Sequence, residues 1–364
     1  MGGLLSLVAI RSGLLPTISD VARRAGVSTV TVSRVINNAP NVNPGTREKV
    51  EHAIHELGYL PNVVARSLRS KRTHSLALIV PDITNIFWTT VARGVEDAAQ
   101  DRGYSVLLCN TDESPVKQSR YLKVVASQRV DGVIIAPYDG DAANLAELRV
   151  REIPTVVVDR RINGWDVDTV LSDSVASGRA LVRYLIAHGH RQIAAVSGPA
   201  GTSTADDRLQ GYFLALAEAG IAADPDLVKR GEFRAAAGEK LVCELFGEGR
   251  RPTAIFAANN AIALGVIDGL SSLDLRVPDD VSLVCVDDLP LADRCFPFLT
   301  VAVQPAYEMG THAAQLLLDR LATGGSPAPH HLLLPCRLIV RGAQPQTLVI
   351  EPLGPREPDG LPAL

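Results

Sequence analysis

The sequence predicts an α/β protein in two parts, a small all-α head followed by a larger two-lobed body built on parallel sheets. Three observations predict this fold. The chain has 364 residues, enough for two or three domains of about 150 residues each. Positive charge is concentrated near the amino end. From Ser75 onward, short apolar runs alternate with amphipathic helical stretches, as they do in α/β folds.

Composition excludes several other classes of protein. Hydrophobic residues make up 46% and charged residues 21%, which is ordinary for a globular chain and unlike a largely disordered one. No apolar run reaches the roughly 18 residues that a membrane-spanning helix needs. The cysteines are odd in number, widely spaced and without a C-x-x-C pair, so we expect buried free thiols instead of disulfides or a zinc site. They are Cys109, Cys243, Cys285, Cys295 and Cys336.

Net charge is unevenly distributed along the chain. The whole chain carries −4, but residues 16–73 hold nine Lys/Arg against four Asp/Glu, and residues 74–364 carry the excess of acid. A basic head on an acidic body is expected when a small domain contacts phosphate and the remainder has another task. The head is therefore a candidate for binding nucleic acid.

Residues 1–15 are apolar but do not form the pattern of a secretory signal. They lack a basic amino end, Arg11 interrupts the apolar run, and no small-residue cleavage site follows. We expect a disordered or mis-annotated N-terminal extension and a cytoplasmic protein.

Residues 16–60 predict three short helices. Thr17 and Asp20 have the spacing of a capping box for the first helix, which Gly26 ends. Ser28 caps the second helix, and the third begins near Pro44. A helix, a glycine-containing turn, a second helix and a supporting helix make up the helix-turn-helix unit.

The second predicted helix has two distinct faces. Val32, Val35 and Ile36 form its buried stripe. The opposite face is where a helix entering the major groove carries its base-reading side chains. That face holds Thr29, Val30, Ser33, Arg34 and Asn37.

The string TISDVARRAGVSTVTVSRVINN at residues 17–38 resembles the headpiece of the LacI/GalR family of bacterial transcription regulators, and the resemblance continues through residue 68. It implies that Thr29, Val30 and Arg34 contact bases, while Thr31 and Ser33 position the helix on phosphates. Arg34 can make bidentate bonds to guanine. Val30 replaces a residue that is often polar in the family, so we expect it to touch a thymine methyl group or to exclude water.

The resemblance also implies a hinge helix and linker in residues 61–73. This segment is too short to form a stable helix alone. In the family, such hinges fold on operator DNA, where two of them lie in the minor groove and a leucine opens a base step. Here that leucine is Leu68, with Arg69 beside it; the alternative is that Leu68 makes ordinary packing contacts. A hinge that folds on binding, next to a ligand domain, is suited to act as a switch.

The body alternates predicted strands with predicted helices. The strands are 76–80, 105–108, 132–136, 155–159, 192–196, 253–257 and 281–287. The helices are 91–102, 116–128, 177–189, 207–220, 261–269 and 307–321. This alternation predicts parallel sheets with helices on both faces, and about 270 residues favour two lobes over one.

The body resembles the type I periplasmic-binding-protein-like domain, which implies an effector-binding and dimerisation domain over residues 74–342. Crossovers near Asp173, Pro305 and Pro335 assign 74–173 and 305–334 to lobe 1, and 174–304 and 335–342 to lobe 2. Residues 343–364 are rich in Pro and Gly and have no heptad repeat. We therefore expect a disordered tail, and a homodimer in place of a tetramer joined by a coiled coil.

Polar and aromatic residues follow several of the predicted strands, at the edge where open α/β sheets bind ligands. Aromatic rings cover the apolar face of a sugar, and Asp, Asn and Arg bond its adjacent hydroxyls. Taken singly, each residue also has a structural interpretation, such as capping a turn. The effector-contacting positions implied by the family are Asn85, Phe87, Trp88, Asp159, Arg160, Arg208, Phe233, Asn259, Asp287 and Gln304. Asn260 departs from the acid that commonly follows the first asparagine in the family.

Several chemistries have no matching pattern in the sequence. We find no nucleophile elbow, H-E-x-x-H motif or calcium loop, and the glycine-containing loop at residues 197–204 lacks the lysine of a P-loop. His188 and His190 lie at a predicted helix end, where they can offset the helix dipole. We therefore expect no catalytic residues, no metal and no cofactor.

Together these features predict a dimeric, sequence-specific DNA-binding regulator that does not act at a membrane. The most specific hypothesis is a repressor of carbohydrate uptake or catabolism genes. Its affinity for a pseudo-palindromic double-stranded operator would be set by a small sugar-like effector bound between the lobes. The alternatives are a transport-type sugar-binding protein, an α/β enzyme acting on a sugar, and a regulator with a non-sugar effector such as a nucleobase.

Overall fold

The structure, a computed structural model, describes residues 16–60, 72–323, 328–342 and 346–351. It divides into two compact units, Met1–Thr73 and His74–Leu364, which are described separately below. The expected extension at residues 1–15, Leu68 and Arg69 of the hinge, and residues 352–364 of the tail lie outside the described residues.

The first unit contains three helices: α1 (Ile18–Ala25), α2 (Thr29–Ile36) and α3 (Pro44–Leu57). Their ends have the predicted caps. The backbone N and the Oγ1 of Thr17 donate to Asp20 Oδ2 at 3.0 and 2.7 Å before α1. Gly26 ends α1 in the left-handed conformation at φ +67°, which glycine adopts without strain.

The core of this unit lies where the three helices meet. Val21 of α1, Val32 of α2 and Val50 of α3 are each completely buried, and they belong to one hydrophobic cluster. This small core gives the predicted helix-turn-helix unit its own packing, and the all-α head is confirmed.

Lobe 1 is built on a sheet of six parallel strands. The strands are β1 (Ser75–Val80), β2 (Ser105–Asn110), β3 (Gly132–Ile135), β4 (Thr155–Val158), β5 (Asp168–Ser172) and β11 (His331–Leu334). Their order is β11-β5-β4-β3-β1-β2.

Lobe 2 is built on a sheet of seven strands in the order β13-β12-β10-β9-β8-β6-β7. The strands are β6 (Ile193–Ser197), β7 (Val228–Arg230), β8 (Ala254–Ala257), β9 (Ser282–Val286), β10 (Thr300–Val303), β12 (Arg337–Val340) and β13 (Gln346–Val349). Strand β12 is antiparallel to both of its neighbours, and the other pairs are parallel.

Helices cover both faces of each sheet, as the sequence predicts. They are α4 (Ile86–Asp101), α5 (Pro115–Gln128), α6 (Ala146–Val150), α7 (Ser174–Ala187), α8 (Ser203–Glu218), α9 (Ala235–Gly247), α10 (Asn260–Ser272), α11 (Ala292–Cys295) and α12 (Ala306–Thr323). Alternate residues of β1 contribute to different cores: Leu76 and Leu78 pack with α4 and α12, and Ala77 and Ile79 pack with α5. The sheet therefore lies between two apolar layers, which is why its central strands read as continuous hydrophobic runs.

The chain crosses between the lobes three times. It leaves the lobe 1 sheet after β5, returns after β10 to form α12 and β11, and crosses again to form β12. Helix α12 belongs to lobe 1 because Met309 and Leu317 are fully buried in the core beneath β1.

Glycines lie at the closest points of three helix pairs, α4 with α12, α7 with α8, and α9 with α10. A Cβ placed at any of these positions would overlap the backbone of the partner helix. The glycines are Gly94 and Gly310, Gly178 and Gly211, and Gly238 and Gly265. Close approach of two backbones, and not turn geometry, is the reason for these residues.

Two expectations from the sequence are wrong in part. The tail was expected to be disordered from residue 343, but Gln346–Val349 forms β13, paired antiparallel with β12. The strand is held there because the following residue, Ile350, is buried in the lobe 2 core. The cysteines are free, but Cys295 is exposed and Cys243 is half-buried.

Candidate functional site

Helix α2 presents the face that the sequence assigns to DNA. Val32 and Val35 anchor its opposite side in the core. Thr29, Val30, Arg34 and Asn37 are exposed, and Val30 is 58% exposed despite its apolar side chain.

The remaining predicted residues of α2 support its geometry. Ser28 Oγ accepts from the backbone N of Thr31 at 3.2 Å, which caps the helix. Asn37 Nδ2 donates to the Ser33 carbonyl oxygen at 2.8 Å, so one of its two amide hydrogens is engaged within the helix. Thr31 and Ser33 are half-buried.

Arg34 differs from its basic neighbours in its bonding. Arg24 is paired with Glu56 at 2.6 Å, and Arg47 donates to Asn38 Oδ1 and to the Ala39 carbonyl oxygen at 3.0 and 2.9 Å. Within the described residues, the exposed Arg34 guanidinium has no such bond. Its donors are available to a base edge.

The second site is a cavity between the two lobes. All ten residues that the sequence assigns to effector binding line it, together with three residues that the sequence reasoning missed: Asp82, Glu113 and Thr204. The cavity includes about 400 Å³ of space not filled by atoms, part of it open to solvent.

Two aspartates occupy corresponding places in the two lobes. Asp159 directly follows β4, and Asp287 directly follows β9. Both have left-handed backbones, with φ +67° and +64°. Few non-glycine residues adopt this conformation, and when they do it is often at functional sites. Each is held by a backbone bond to the neighbouring strand, to the Val170 and Ala302 carbonyl oxygens at 3.0 and 2.8 Å.

Arg160 is fixed by a partner from another strand end. Its two terminal nitrogens donate to the two carboxylate oxygens of Glu113 at 2.9 and 2.5 Å, and one also donates to the Pro137 carbonyl oxygen at 3.0 Å. Burial is the largest single influence on the pKa of Arg160 and would lower it, but the Glu113 and Asp159 carboxylates together raise it. The guanidinium therefore stays charged and lies 6.0 Å from the ring centre of Phe233.

Arg208 is the main cation for both aspartates. It donates to the Ala258 carbonyl oxygen at 2.9 Å, while Asp287 accepts from Gln304 Nε2 at 2.8 Å. Burial raises the pKa of Asp159 to about 6 although Arg208 and Arg160 oppose the shift. Burial raises the pKa of Asp287 as well. The buried carboxyl groups of Asp159 and Asp287 therefore share Arg208 as their main cation, and neither is fully paired with it.

Three buried polar atoms of these residues have no hydrogen-bond partner among the described residues. They are Asp159 Oδ1, Arg160 Nε and Arg208 Nε. Buried polar groups are nearly always bonded, so three orphans on residues around one cavity require an explanation. One is an acceptor and two are donors, a combination that hydroxyl groups match because each both donates and accepts.

Aromatic rings line one side of the same cavity. Phe87 and Trp88, at the start of α4, are in edge-to-face contact with ring centres 4.8 Å apart, and both are largely buried. Asn85 Oδ1 caps this helix by accepting from the Phe87 backbone N at 3.0 Å. Asn259 Oδ1 caps α10 in the same way, through Ile262 N at 2.8 Å. Asn259 thus has a structural role in capping α10, and it also lines the cavity.

Several polar contacts join the lobes around the cavity. Asn85 pairs with Asn260, and Arg161 of lobe 1 binds Asp207 of lobe 2. The backbone N of Arg161 donates to Ser203 Oγ at 2.9 Å. These contacts close the two lobes over the site.

Glu113 was not among the site residues predicted from the sequence, although its position after a strand could have indicated it. It follows β2 by three residues, at the same edge of the sheet where the other site residues follow their strands. The rule that ligands bind beyond the carboxyl ends of parallel strands applies to it as well. Asp82 follows β1 in the same way.

The described residues contain no group of His, Cys, Asp and Glu that could hold a metal ion. In the same part of the chain, no helix is long and apolar enough to cross a membrane.

Comparison with known proteins agrees with both parts of the structure. Residues 17–62 match the family described as bacterial regulatory proteins, lacI family, and residues 182–343 match the periplasmic binding protein-like domain. The HTH-type transcriptional regulator DegA of Bacillus subtilis (strain 168) is 36% identical over 329 residues, covering 89% of this chain and 97% of DegA. The HTH-type transcriptional repressor PurR of Vibrio campbellii is 38% identical over 309 residues, covering 84% of this chain and 92% of PurR.

Among solved structures, a complex of the transcriptional regulator CelR with cellobiose superimposes with a TM-score of 0.68 at 35% identity. The match covers 90% of this chain and 99% of CelR.

The head contains a helix-turn-helix unit whose helix α2 is exposed on the face assigned to DNA, and the two-lobed body contains a polar cavity. Together these features define a ligand-controlled, DNA-binding transcription regulator. The chain belongs to the LacI family and is a DNA-binding transcriptional repressor, not an enzyme.

Proposed function

We propose that the protein represses genes of carbohydrate uptake or catabolism, and that a sugar or sugar derivative bound in the inter-lobe cavity controls its affinity for operator DNA. The observation that carries this proposal is that Asp159 Oδ1, Arg160 Nε and Arg208 Nε, on three residues that line one cavity, have no hydrogen-bond partner among the described residues. A sugar hydroxyl both donates and accepts, so adjacent hydroxyls can bond the carboxylate and the guanidinium groups together.

The aromatic residues that line the cavity support the same class of ligand. Phe87, Trp88 and Phe233 offer apolar surface beside the charged groups, and sugars combine an apolar ring face with polar edges. CelR, which this chain resembles over 90% of its length, was solved with cellobiose. A nucleobase effector is the main alternative.

On the DNA side, we propose that a homodimer binds a pseudo-palindromic operator in the cytoplasm. Exposed Thr29, Val30, Arg34 and Asn37 of α2 face the bases, and Thr31 and Ser33 position the helix on the phosphates. Leu68 and Arg69 of the hinge enter the minor groove. We expect affinity to fall steeply with salt concentration, because phosphate contacts release counterions. Gel shifts on the promoter of the neighbouring genes test this, and complexes that are insensitive to salt and sequence would refute it.

The effector class is tested by thermal shift with a panel of pentoses, hexoses, their phosphates and free nucleobases. A ligand that binds only the folded protein at a hundredfold excess over Kd stabilises it by about 2.7 kcal/mol. We expect a sugar to raise the Tm and to change operator binding. A nucleobase that does so in place of any sugar would refute the sugar proposal and leave the regulator intact.

The Asp287→Ala variant ties the response to this cavity. Because Asp287 is buried and bonded to Gln304, we expect the variant to bind operator but to lose its response to the sugar. Asp279→Ala serves as the control, since Asp279 is exposed and paired only with Arg276 among the described residues. A normal response in Asp287→Ala would remove this residue from the effector site.

A further inference from the structure

Asn85 and Asn260 form a reciprocal amide pair between the lobes. Asn85 Nδ2 donates to Asn260 Oδ1 at 2.9 Å, and Asn260 Nδ2 donates to Asn85 Oδ1 at 3.1 Å. Asn85 precedes α4 of lobe 1, and Asn260 is the first residue of α10 of lobe 2. Asn85 lines the cavity, whereas Asn260 does not.

The backbone fixes which end of each amide is the oxygen. Asn85 Oδ1 also accepts from the Phe87 backbone N at 3.0 Å, and Asn260 Oδ1 also accepts from the Ala261 backbone N at 2.8 Å. A backbone N–H can only donate, so an oxygen must stand at each of these two positions. With both oxygens fixed, the two amide nitrogens must face the partner oxygens.

Counting donors and acceptors distinguishes the roles of the two residues. Asn260 Nδ2 also donates to the Asp288 carbonyl oxygen at 3.1 Å, so both of its hydrogens and both oxygen lone pairs are used. Asn85 Oδ1 uses both of its lone pairs, and Asn85 Nδ2 donates one of its two hydrogens, to Asn260 Oδ1. Its second hydrogen has no acceptor among the described residues and belongs to a side chain that lines the cavity.

We propose that Asn260 is a positioning residue, which holds Asn85 from the opposite lobe so that Asn85 presents a single donor to the bound ligand. The pair forms only when the lobes meet, so it couples closure of the lobes to the geometry of the cavity. This inference holds whichever class of ligand occupies the cavity.

The proposal explains why position 260 holds an amide and not an acid. A carboxylate there has no hydrogen to donate, and it would face two acceptors, Asn85 Oδ1 and the Asp288 carbonyl oxygen. It would also place a negative charge against the Asp288 carbonyl oxygen, which now accepts from Asn260 Nδ2. An acid at this position therefore favours separation of the lobes.

The fluorescence of Trp88 can report closure of the lobes in the absence of a ligand. The chain has two tryptophans, and Trp88 lines the cavity and is 6% exposed. In a Trp165→Phe background, Trp88 is the only tryptophan, and acrylamide quenching of its fluorescence reports how often the lobes open. Asn260→Asp loses the two hydrogen bonds that Asn260 Nδ2 donates. It should therefore shift the equilibrium about tenfold toward the open form and raise the quenching constant severalfold.

Two further variants make the test decisive. Asn163→Asp places the same change on an exposed residue of lobe 1, and its quenching should match that of the parent. Asn260→Ser removes the pair without adding charge and should also raise quenching. Unchanged quenching in Asn260→Ser, even with a lowered Tm, would reduce Asn260 to an ordinary structural residue and overturn the proposal.

Discussion

Gly178 of α7 packs directly against the backbone of Arg208 in α8. A Cβ at residue 178 would lie 3.1 Å from the Arg208 carbonyl carbon and closer still to its oxygen. The contact is reciprocal, because a Cβ at Gly211 of α8 would meet the backbone of Arg179 and Val175 in α7. The distance between these two helices therefore sets how far Arg208 reaches toward Asp159 and Asp287.

Replacing Gly178 by Ala tests this link between packing and site. We expect the added methyl group to push α8 outward, lowering the free energy of unfolding by about 1–3 kcal/mol and weakening the thermal shift caused by the effector. Urea unfolding and thermal shift measure the two effects. Gly247→Ala is the matched control, since a Cβ there meets nothing within 4 Å. If Gly178→Ala is as stable as the parent, the contact does not position the helix.

The raised pKa of Asp159 predicts how stability depends on pH. Burial raises this pKa from 3.8 to about 6, so between those values the folded protein holds a proton that the unfolded chain has lost. Folding is then penalised progressively as pH rises from about 4 to 6, and fully above that range. Asp159→Asn removes the penalty, and we expect it to raise the free energy of unfolding at neutral pH by up to about 3 kcal/mol.

Urea unfolding at a series of pH values measures this effect. Near pH 4 the variant and the parent should be about equally stable, because the parent is then protonated in the folded state. Asp279→Asn, on an exposed residue, should leave the pH profile unchanged. A parallel profile for Asp159→Asn and the parent would show that Asp159 does not carry this penalty.

Arg34 is expected to specify one base pair of each half-site. Among the described residues its exposed guanidinium has no bonding partner, so Arg34→Ala should weaken operator binding by about 1–3 kcal/mol and abolish the preference at that position. Fluorescence anisotropy with singly substituted operators measures both effects. Arg24→Ala is the control, because Arg24 is paired with Glu56. If the variant discriminates among operators as the parent does, Arg34 contacts only phosphate.

Local signals predicted the head well. The capping pair Thr17 and Asp20, the glycine at 26 and the Ser28 cap act within a few residues, and each is found where the sequence placed it. In the body, the central strands were predicted because they are continuous apolar runs. The edge strand β7 has only three residues, too few for a pattern to appear. Strand β10 was not predicted although it is as long as β3, β4 and β8, which were.

The sequence predicted ten of the residues that line the cavity but not the contacts that hold them in place. Family resemblance and the strand-end rule brought together its ten expected residues, including Asp159 and Asp287. The partners that organise them are remote in sequence: Glu113 is 47 residues from Arg160, and Asn260 is 175 residues from Asn85. The first pair depends on the order of the strands within lobe 1 and the second on how the two lobes close, and no local pattern encodes either.

The three crossovers between the lobes decide which pieces of the gene can be expressed alone. The lobe 1 sheet takes its outer strand β11 from the far side of the lobe 2 sequence, so neither lobe is a continuous fragment. A chain that stops at Thr323 would leave β5 without β11, one of its two neighbours, exposing a row of unpaired backbone groups that invites aggregation. The head is different, because Val21, Val32 and Val50 form a core within one uninterrupted stretch. A deletion library should therefore yield the soluble head, and no soluble single lobe.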